Sequence, residues 1–173
     1  MKILITGVAG TGKSSMGKKL HELGMTTVDF RNIAGLCHWQ HKVTKEAADY
    51  YHGRDREWFD THERVCDSEV LKKLLDQHDD IVVTGSISGN MDNLLPLFDK
   101  VVLLQCSPEK IIQRLETRDG TTFGKNEVEK GYVLDWQKWF DSRLISQGAI
   151  PVSTEGSIET VVDAIHTKVF NIF

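Results

Sequence analysis

Residues 1–20 read MKILITGVAGTGKSSMGKKL, and the order of residue types within them decides the fold. Lys2–Thr6 is a short apolar run rich in β-branched side chains, and glycines, a lysine and two serines follow at once. Gly7-Val8-Ala9-Gly10-Thr11-Gly12-Lys13-Ser14 fulfils the pattern G-x-x-x-x-G-K-[ST]. It lies between a predicted strand and a predicted helix over Ser14–Leu23, the context in which that pattern cradles phosphate. Glycines let the chain curl so that successive N–H groups point inward, and the helix N-terminus adds partial positive charge. In that loop Gly10, Thr11, Gly12, Lys13, Ser14 and Ser15 are the candidate phosphate-binding residues. Lys13 would neutralise the β- and γ-phosphates, and the Ser14 hydroxyl would ligate Mg²⁺.

The rest of the chain alternates strand and helix. Apolar, nearly continuous runs occur at Ile81–Gly85, Lys100–Gln105 and Ala149–Ser153, with a fifth strand predicted over Met25–Phe30. Unbroken apolar runs fit strands covered on both faces, as in a parallel sheet. Helical patterns fall on Glu63–Gln77, Pro108–Thr117, Lys130–Gln147 and Ile158–Phe170. The expectation is therefore an α/β, doubly wound parallel sheet with helices on both faces. Residues 31–66 break the alternation with many His, Trp, Tyr, Arg and Asp side chains and are expected to form a helical insertion lining a site.

Bulk properties exclude other classes. At 173 residues the chain fits one domain, and its net charge of −4 gives no global attraction for DNA or an anionic membrane. No run approaches the roughly 18 apolar residues of a membrane span. Three cysteines without CxxC spacing fit reduced thiols in a cytoplasmic protein better than disulfides or zinc. The four histidines of the insertion (His38, His41, His52 and His62) show no zinc-ligand spacing.

A phosphate loop alone does not choose among kinases, GTPases and motor ATPases. The chain lacks an NKxD element, and Ile81–Gly85 carries no paired acids at its end. Residues 114–131 instead suggest a lid. Arg114 and Arg118 stand at i and i+4 on one helical face, ahead of a glycine-punctuated loop. Two such guanidiniums serve a nucleotide, one against the base and one on the phosphates, although Glu116 and Asp119 also offer ordinary ion partners. Asp29 ends a strand beside the loop, where it would hold magnesium or accept an acceptor's proton, or else cap the segment that begins at Arg31. Within the insertion, Arg31, Trp39, Arg54 and Trp58 are candidate acceptor-binding groups, with aromatic anchoring of the lobe as the alternative for each.

GVAGTGKSS, VVLLQC followed by RLETR, and the closing IPVSTEGSIETVVDAI resemble the P-loop nucleoside monophosphate and small-molecule kinases, adenylate-kinase-like and shikimate-kinase-like. That resemblance covers roughly residues 1–30 and 80–173. It implies a five-stranded parallel sheet in the order 2-3-1-4-5, one kinase domain over 1–173 and ATP as donor. It also implies Arg114 on adenine, Arg118 on the transferring phosphate and Thr154 and Gly156 at the adenine edge, with Arg143 as a further lid-side arginine. The chain departs from both families. TGSISG at 84–89 replaces both the Asp–Gly–Phe-Pro-type element of adenylate kinases and the glycine triplet of shikimate kinases, and the second strand offers Asp29 alone in place of Asp-x-Asp. The activity expected is transfer of the γ-phosphoryl of ATP to a nucleotide or similar small hydroxyl metabolite. The alternative is an adenylate-kinase-like ATPase or switch acting on a protein or RNA partner. Oligomeric state is left open.

Overall fold

In the computed structural model, residues 1–86, 89–120 and 123–170 are described. Five parallel strands form the main sheet: β1 (Lys2–Thr6), β2 (Thr27–Asp29), β6 (Ile81–Thr84), β7 (Lys100–Gln105) and β8 (Ile150–Ser153). Their spatial order is β2-β6-β1-β7-β8, which in chain order within this sheet is the expected 2-3-1-4-5. β1 is central, pairing Leu4 with Val83 on one side and Val101 on the other.

The apolar runs are continuous because both faces are covered. Ile3 and Ile5 face α1 (Lys13–Glu22) and α7 (Ile158–Ile165), packing with Met16, Leu20, Val161 and Ile165. Leu4 and Val83 face the other side, where Leu71 and Leu75 of α3 (Ser68–Asp76) and Leu94 of α4 (Met91–Leu94) cover them. Farther along that side, Leu103 packs under Ile111 and Leu115 of α5 (Pro108–Thr117) and Val133, Phe140 and Leu144 of α6 (Glu127–Ser146). Each such side chain removed from water contributes about 1.5–3 kcal/mol. The sheet's middle is thus held from two sides, and the loop after β1 is anchored on a rigid base.

Three expectations need correction. Residues 31–66 are not a helical insertion. They form an antiparallel sheet in the order β4-β3-β5, from β3 (Cys37–His41), β4 (Ala47–Ala48) and β5 (His62–Cys66), with only the short α2 (Arg56–Thr61) between. Cross-strand pairing wins over local propensity here: Gln40 Nε2 donates to Glu63 Oε1 at 2.9 Å, and Trp39 packs in a cluster with Tyr50, Trp58 and Phe59. Glu63–Gln77 is likewise not one helix. Asp67 ends β5 and caps α3, its Oδ1 accepting from the N–H groups of Glu69 (2.8 Å) and Val70 (3.1 Å), so Val65 belongs to the strand and Val70, Leu71, Leu74 and Leu75 to the helix. Finally, the cysteines are not all thiols. Cys37 and Cys66 lie directly opposite in the β3–β5 register with Cα atoms 4.1 Å apart and form a disulfide, leaving Cys106 free and buried.

At the other end of the chain, α7 stops at Ile165 and a π-turn, His166–Phe170, follows in place of a continuous helix. No helix among the described residues is long and apolar enough to cross a membrane.

Candidate functional site

The loop between β1 and α1 opens into a cleft of about 1090 Å³ that runs to the antiparallel lobe. Gly7 has φ 145°, and a Cβ there would fall 2.6 Å from the Leu104 carbonyl oxygen, so the turn out of the sheet admits no side chain. Gly12 caps α1 in the left-handed conformation and no side chain caps the helix, which leaves the N-terminal amides facing the cleft. Thr11 is buried and donates its hydroxyl to Val8 O at 2.9 Å, fixing the curl from within.

Lys13 Nζ folds back onto the loop, donating to Gly7 O and Val8 O at 2.7 Å each. Burial, then the nearby Arg118 charge, pull its pKa down to about 7, helped by Arg31 and Arg64 and opposed by Asp29. Three arginines and one carboxylate thus set the charge around Lys13. Arg64 comes from β5, its pKa lowered by burial, and it donates to the Ser86 carbonyl at 3.5 Å. Arg118 comes from the end of α5, also lowered by burial and by Arg31, and donates through Nη2 to the Phe123 carbonyl.

Asp29 caps the segment that begins at Arg31 and also touches Ser14 of the phosphate loop. Its Oδ1 accepts from Arg31 N at 2.9 Å, capping the 3₁₀ turn Phe30–Asn32, while Oδ2 accepts from Ser14 Oγ at 3.2 Å. Arg31 also grips Asp29 with Nε (3.0 Å) and Nη2 (2.9 Å) and donates to Ser14 Oγ at 2.7 Å. Burial pushes the Asp29 carboxyl up, yet the Arg31 hydrogen bonds outweigh it and hold the group below the usual carboxylate range. Ser14 and Asp29 together present a hydroxyl and one carboxylate. That donor set suits a hard divalent cation whose other positions are filled by phosphate and water, provided Arg31 yields part of its hold. Among the described residues there is no cluster of three or more His, Cys, Asp or Glu that would make a separate metal cage.

On the α5 side, Arg114 ties three elements together. It donates to Thr154 Oγ1 (3.0 Å), Thr154 O (2.7 Å) and Gly10 O (3.3 Å), linking the phosphate loop to the end of β8. Thr154 is buried and, with Gly156, lines the cleft beside it; Ser15 lines the floor. Across the cleft, Arg31, Trp39 and Tyr50 line the wall of the lobe, with Trp39 and Tyr50 stacked at 6.1 Å.

Three expected binding residues do not line the cleft. Trp58 is 8% exposed and stacks on His62 at 4.5 Å, inside the lobe. Arg54 covers the Tyr51 ring at 3.7 Å and donates to Asp49 O at 2.6 Å. Arg143, late in α6, pairs with Asp92. In the expected lid region, residues 121 and 122 lie outside the described residues, as do 87 and 88 of TGSISG. Lys125 donates to Glu116 O and Arg118 O, and Lys130 pairs with Glu116 and Glu127. Sequence reasoning missed Arg64 and Tyr50. Arg64 sat in a segment read as helix, and only its pairing opposite Trp39 turns it to the cleft.

A family model described as an AAA domain matches residues 3–134. Over 121 residues the chain is 31% identical to a Methanocaldococcus jannaschii protein named "Putative adenylate kinase", a match spanning 68% of this chain and 59% of that protein. Among solved structures, shikimate kinase from Acinetobacter baumannii in complex with shikimate superposes with a TM-score of 0.65 at 17% identity, covering 98% of this chain and 93% of that one. Deoxyadenosine kinase from M. mycoides with bound dATP gives 0.55 at 14%, covering 98% and 100%. At those identities the two structures speak to the fold.

Proposed function

Since the chain belongs to the AAA domain family, whose model matches residues 3–134, we propose that it is a P-loop small-molecule kinase that moves the γ-phosphoryl of ATP to a nucleotide or similarly sized hydroxyl metabolite. One observation carries the reading: Lys13, Arg31, Arg64 and Arg118 converge on a single cleft that begins at a phosphate loop and ends at the aromatic wall of Trp39 and Tyr50. Five lysine and arginine side chains (Lys13, Arg31, Arg64, Arg114 and Arg118) line that cleft against the carboxylates of Asp29, Asp49 and Asp119, more than fixing a donor's terminal phosphates requires, and the wall suits a planar group.

In this reading the loop amides and Lys13 hold the donor phosphates, and Arg118 faces the transferring group. Arg114 keeps the loop aligned with the β8 edge, where Thr154 and Gly156 meet the donor's base. Ser14 and Asp29 would hold Mg²⁺, which supplies charge neutralisation when bound. Asp29 also stands where it would receive the acceptor hydroxyl's proton as that oxygen bonds to phosphorus. Arg31 and Arg64 bind acceptor charge, and Trp39 packs on the acceptor's ring. Arg54, Trp58 and Arg143 have no place in this scheme. Catalysis comes from positioning and charge.

The test is ADP formation from ATP across a panel of nucleoside monophosphates and polyhydroxy acids, for the wild type and Lys13→Ala. The expected result is acceptor-dependent ADP and phosphorylated acceptor, lost in the variant with the melting temperature kept. Acceptor-independent hydrolysis as the sole activity would overturn it in favour of an ATPase acting with a protein or RNA partner.

A further inference from the structure

Glu129, in the first turn of α6, is 0% exposed and does not line the cleft. A carboxylate so placed is costly unless strongly hydrogen-bonded. Its two oxygens are used separately. Oε1 accepts from Tyr50 Oη at 2.6 Å, with His52 Nδ1 3.5 Å away, and Oε2 accepts from the Gly124 N–H at 2.7 Å. Burial and the Glu129 carboxylate raise the Tyr50 phenol well above its ordinary pKa, so it stays a donor.

The two partners belong to segments far apart in the chain. Tyr50 is part of the aromatic face of the lobe, while Gly124 follows Phe123, whose carbonyl takes the Arg118 guanidinium and whose ring meets Tyr50 edge-on at 5.8 Å. Arg118 in turn is the charge with the largest effect on Lys13. A continuous set of contacts therefore runs from the acceptor wall through one buried carboxylate to the arginine beside the phosphate loop. Leu115 packs so close beneath Gly124 that a Cβ there would lie 2.8 Å from its Cδ2, which limits other settings of this segment.

We propose that Glu129 is a positioning residue for phosphoryl transfer, setting Arg118 through Phe123–Gly124 in register with Tyr50 on the acceptor wall; this rests on the phosphotransferase reading above. Tenfold losses from small misplacements of a phosphate-clamping group are the scale to expect. Glu129→Gln keeps size and one acceptor oxygen but cannot accept both hydrogen bonds as a carboxylate does or balance Arg118. Tyr50→Phe removes only the hydroxyl and provides a second variant that keeps the ring.

The experiment combines steady-state kinetics with amide hydrogen exchange at Gly124. In Glu129→Gln, kcat for transfer should fall about tenfold or more while KM for ATP stays within about twofold, and Gly124 exchange should speed up. In an Arg118→Ala background the same substitution should cost less than about twofold further, because the effect passes through Arg118. A lowered melting temperature with kcat unchanged, or a full tenfold loss persisting in the Arg118→Ala background, would overturn the proposal. If the wild type transfers phosphate to no acceptor while Gly124 protection still depends on Glu129, the phosphotransferase reading fails and the contact it describes stands.

Discussion

Lys13 offers the sharpest quantitative test of the site. Its partly buried ammonium feels the charges of Arg118, Arg31 and Arg64, and the pKa falls from 10.5 to about 7, with desolvation the leading cause and Arg118 the leading charge. At pH 8 most of the free protein therefore carries a neutral amine at this position. A bound polyphosphate brings several negative charges within contact of the amine, and opposite charge favours the protonated form. Binding should then draw in ~0.9 proton at pH 8, ~0.5 at pH 7 and ~0.1 at pH 6, from the titration of a group at about 7. The assay is calorimetric titration with a non-hydrolysable ATP analogue in two buffers of different ionisation enthalpy. The slope of observed enthalpy against ionisation enthalpy gives the protons taken up.

Lys13→Met should abolish that slope, and Arg118→Ala should shrink it at pH 8, since the largest charge depressing Lys13 is gone. The same shift sets a direction for stability without ligand. The unfolded chain holds the Lys13 proton up to about 10.5 and the folded one only to about 7, so between these values the unfolded state binds more protons and stability rises with pH. Buffer-independent binding enthalpy for the wild type at pH 8, or an equal slope in Lys13→Met, would refute the reasoning.

The Cys37–Cys66 bridge closes a loop with a sequence separation of 29, for which the loss of chain entropy in the unfolded state gives about 3–4 kcal/mol. Cys37→Ser should lower the denaturant midpoint accordingly and reductant should do the same to the wild type only; unchanged midpoints in both would show that the bridge contributes nothing. Asp29→Asn should raise the Mg²⁺ concentration for half-maximal activity by about tenfold or more, because the one carboxylate beside Ser14 is neutralised; superimposable Mg²⁺ titrations would remove Asp29 from the metal's surroundings.

How far the sequence speaks depends on how local the causes are. β1 and β7 carry their bounds in the sequence, Lys2–Thr6 and Lys100–Gln105, because burial on both faces leaves an unbroken apolar run that ends where polar or glycine residues begin. The phosphate loop is just as legible, since its geometry depends on glycines and on a lysine at fixed spacing. Arg143 shows the first limit: a residue's position after a lid says nothing about which way a 20-residue helix turns it, and here it reaches Asp92.

The lobe shows the second limit. CHWQH and HERVC have no clean apolar alternation, because histidine, arginine and tryptophan each bury one part and expose another. Their strand character comes from each other, in a register that places Cys37 opposite Cys66 and Trp39 opposite Arg64 across more than twenty residues of intervening chain. The same register shapes the cleft wall. It sinks Trp58 into the lobe and leaves Trp39 on the cleft wall, and it turns Arg64 towards the phosphate loop. The phosphate loop is thus written in one contiguous segment, whereas the aromatic wall across the cleft exists only once two distant strands have paired. On the proposed phosphotransferase reading, acceptor choice would rest on the β3–β5 register, and Glu129 fastens that lobe to the Phe123–Gly124 segment beside Arg118.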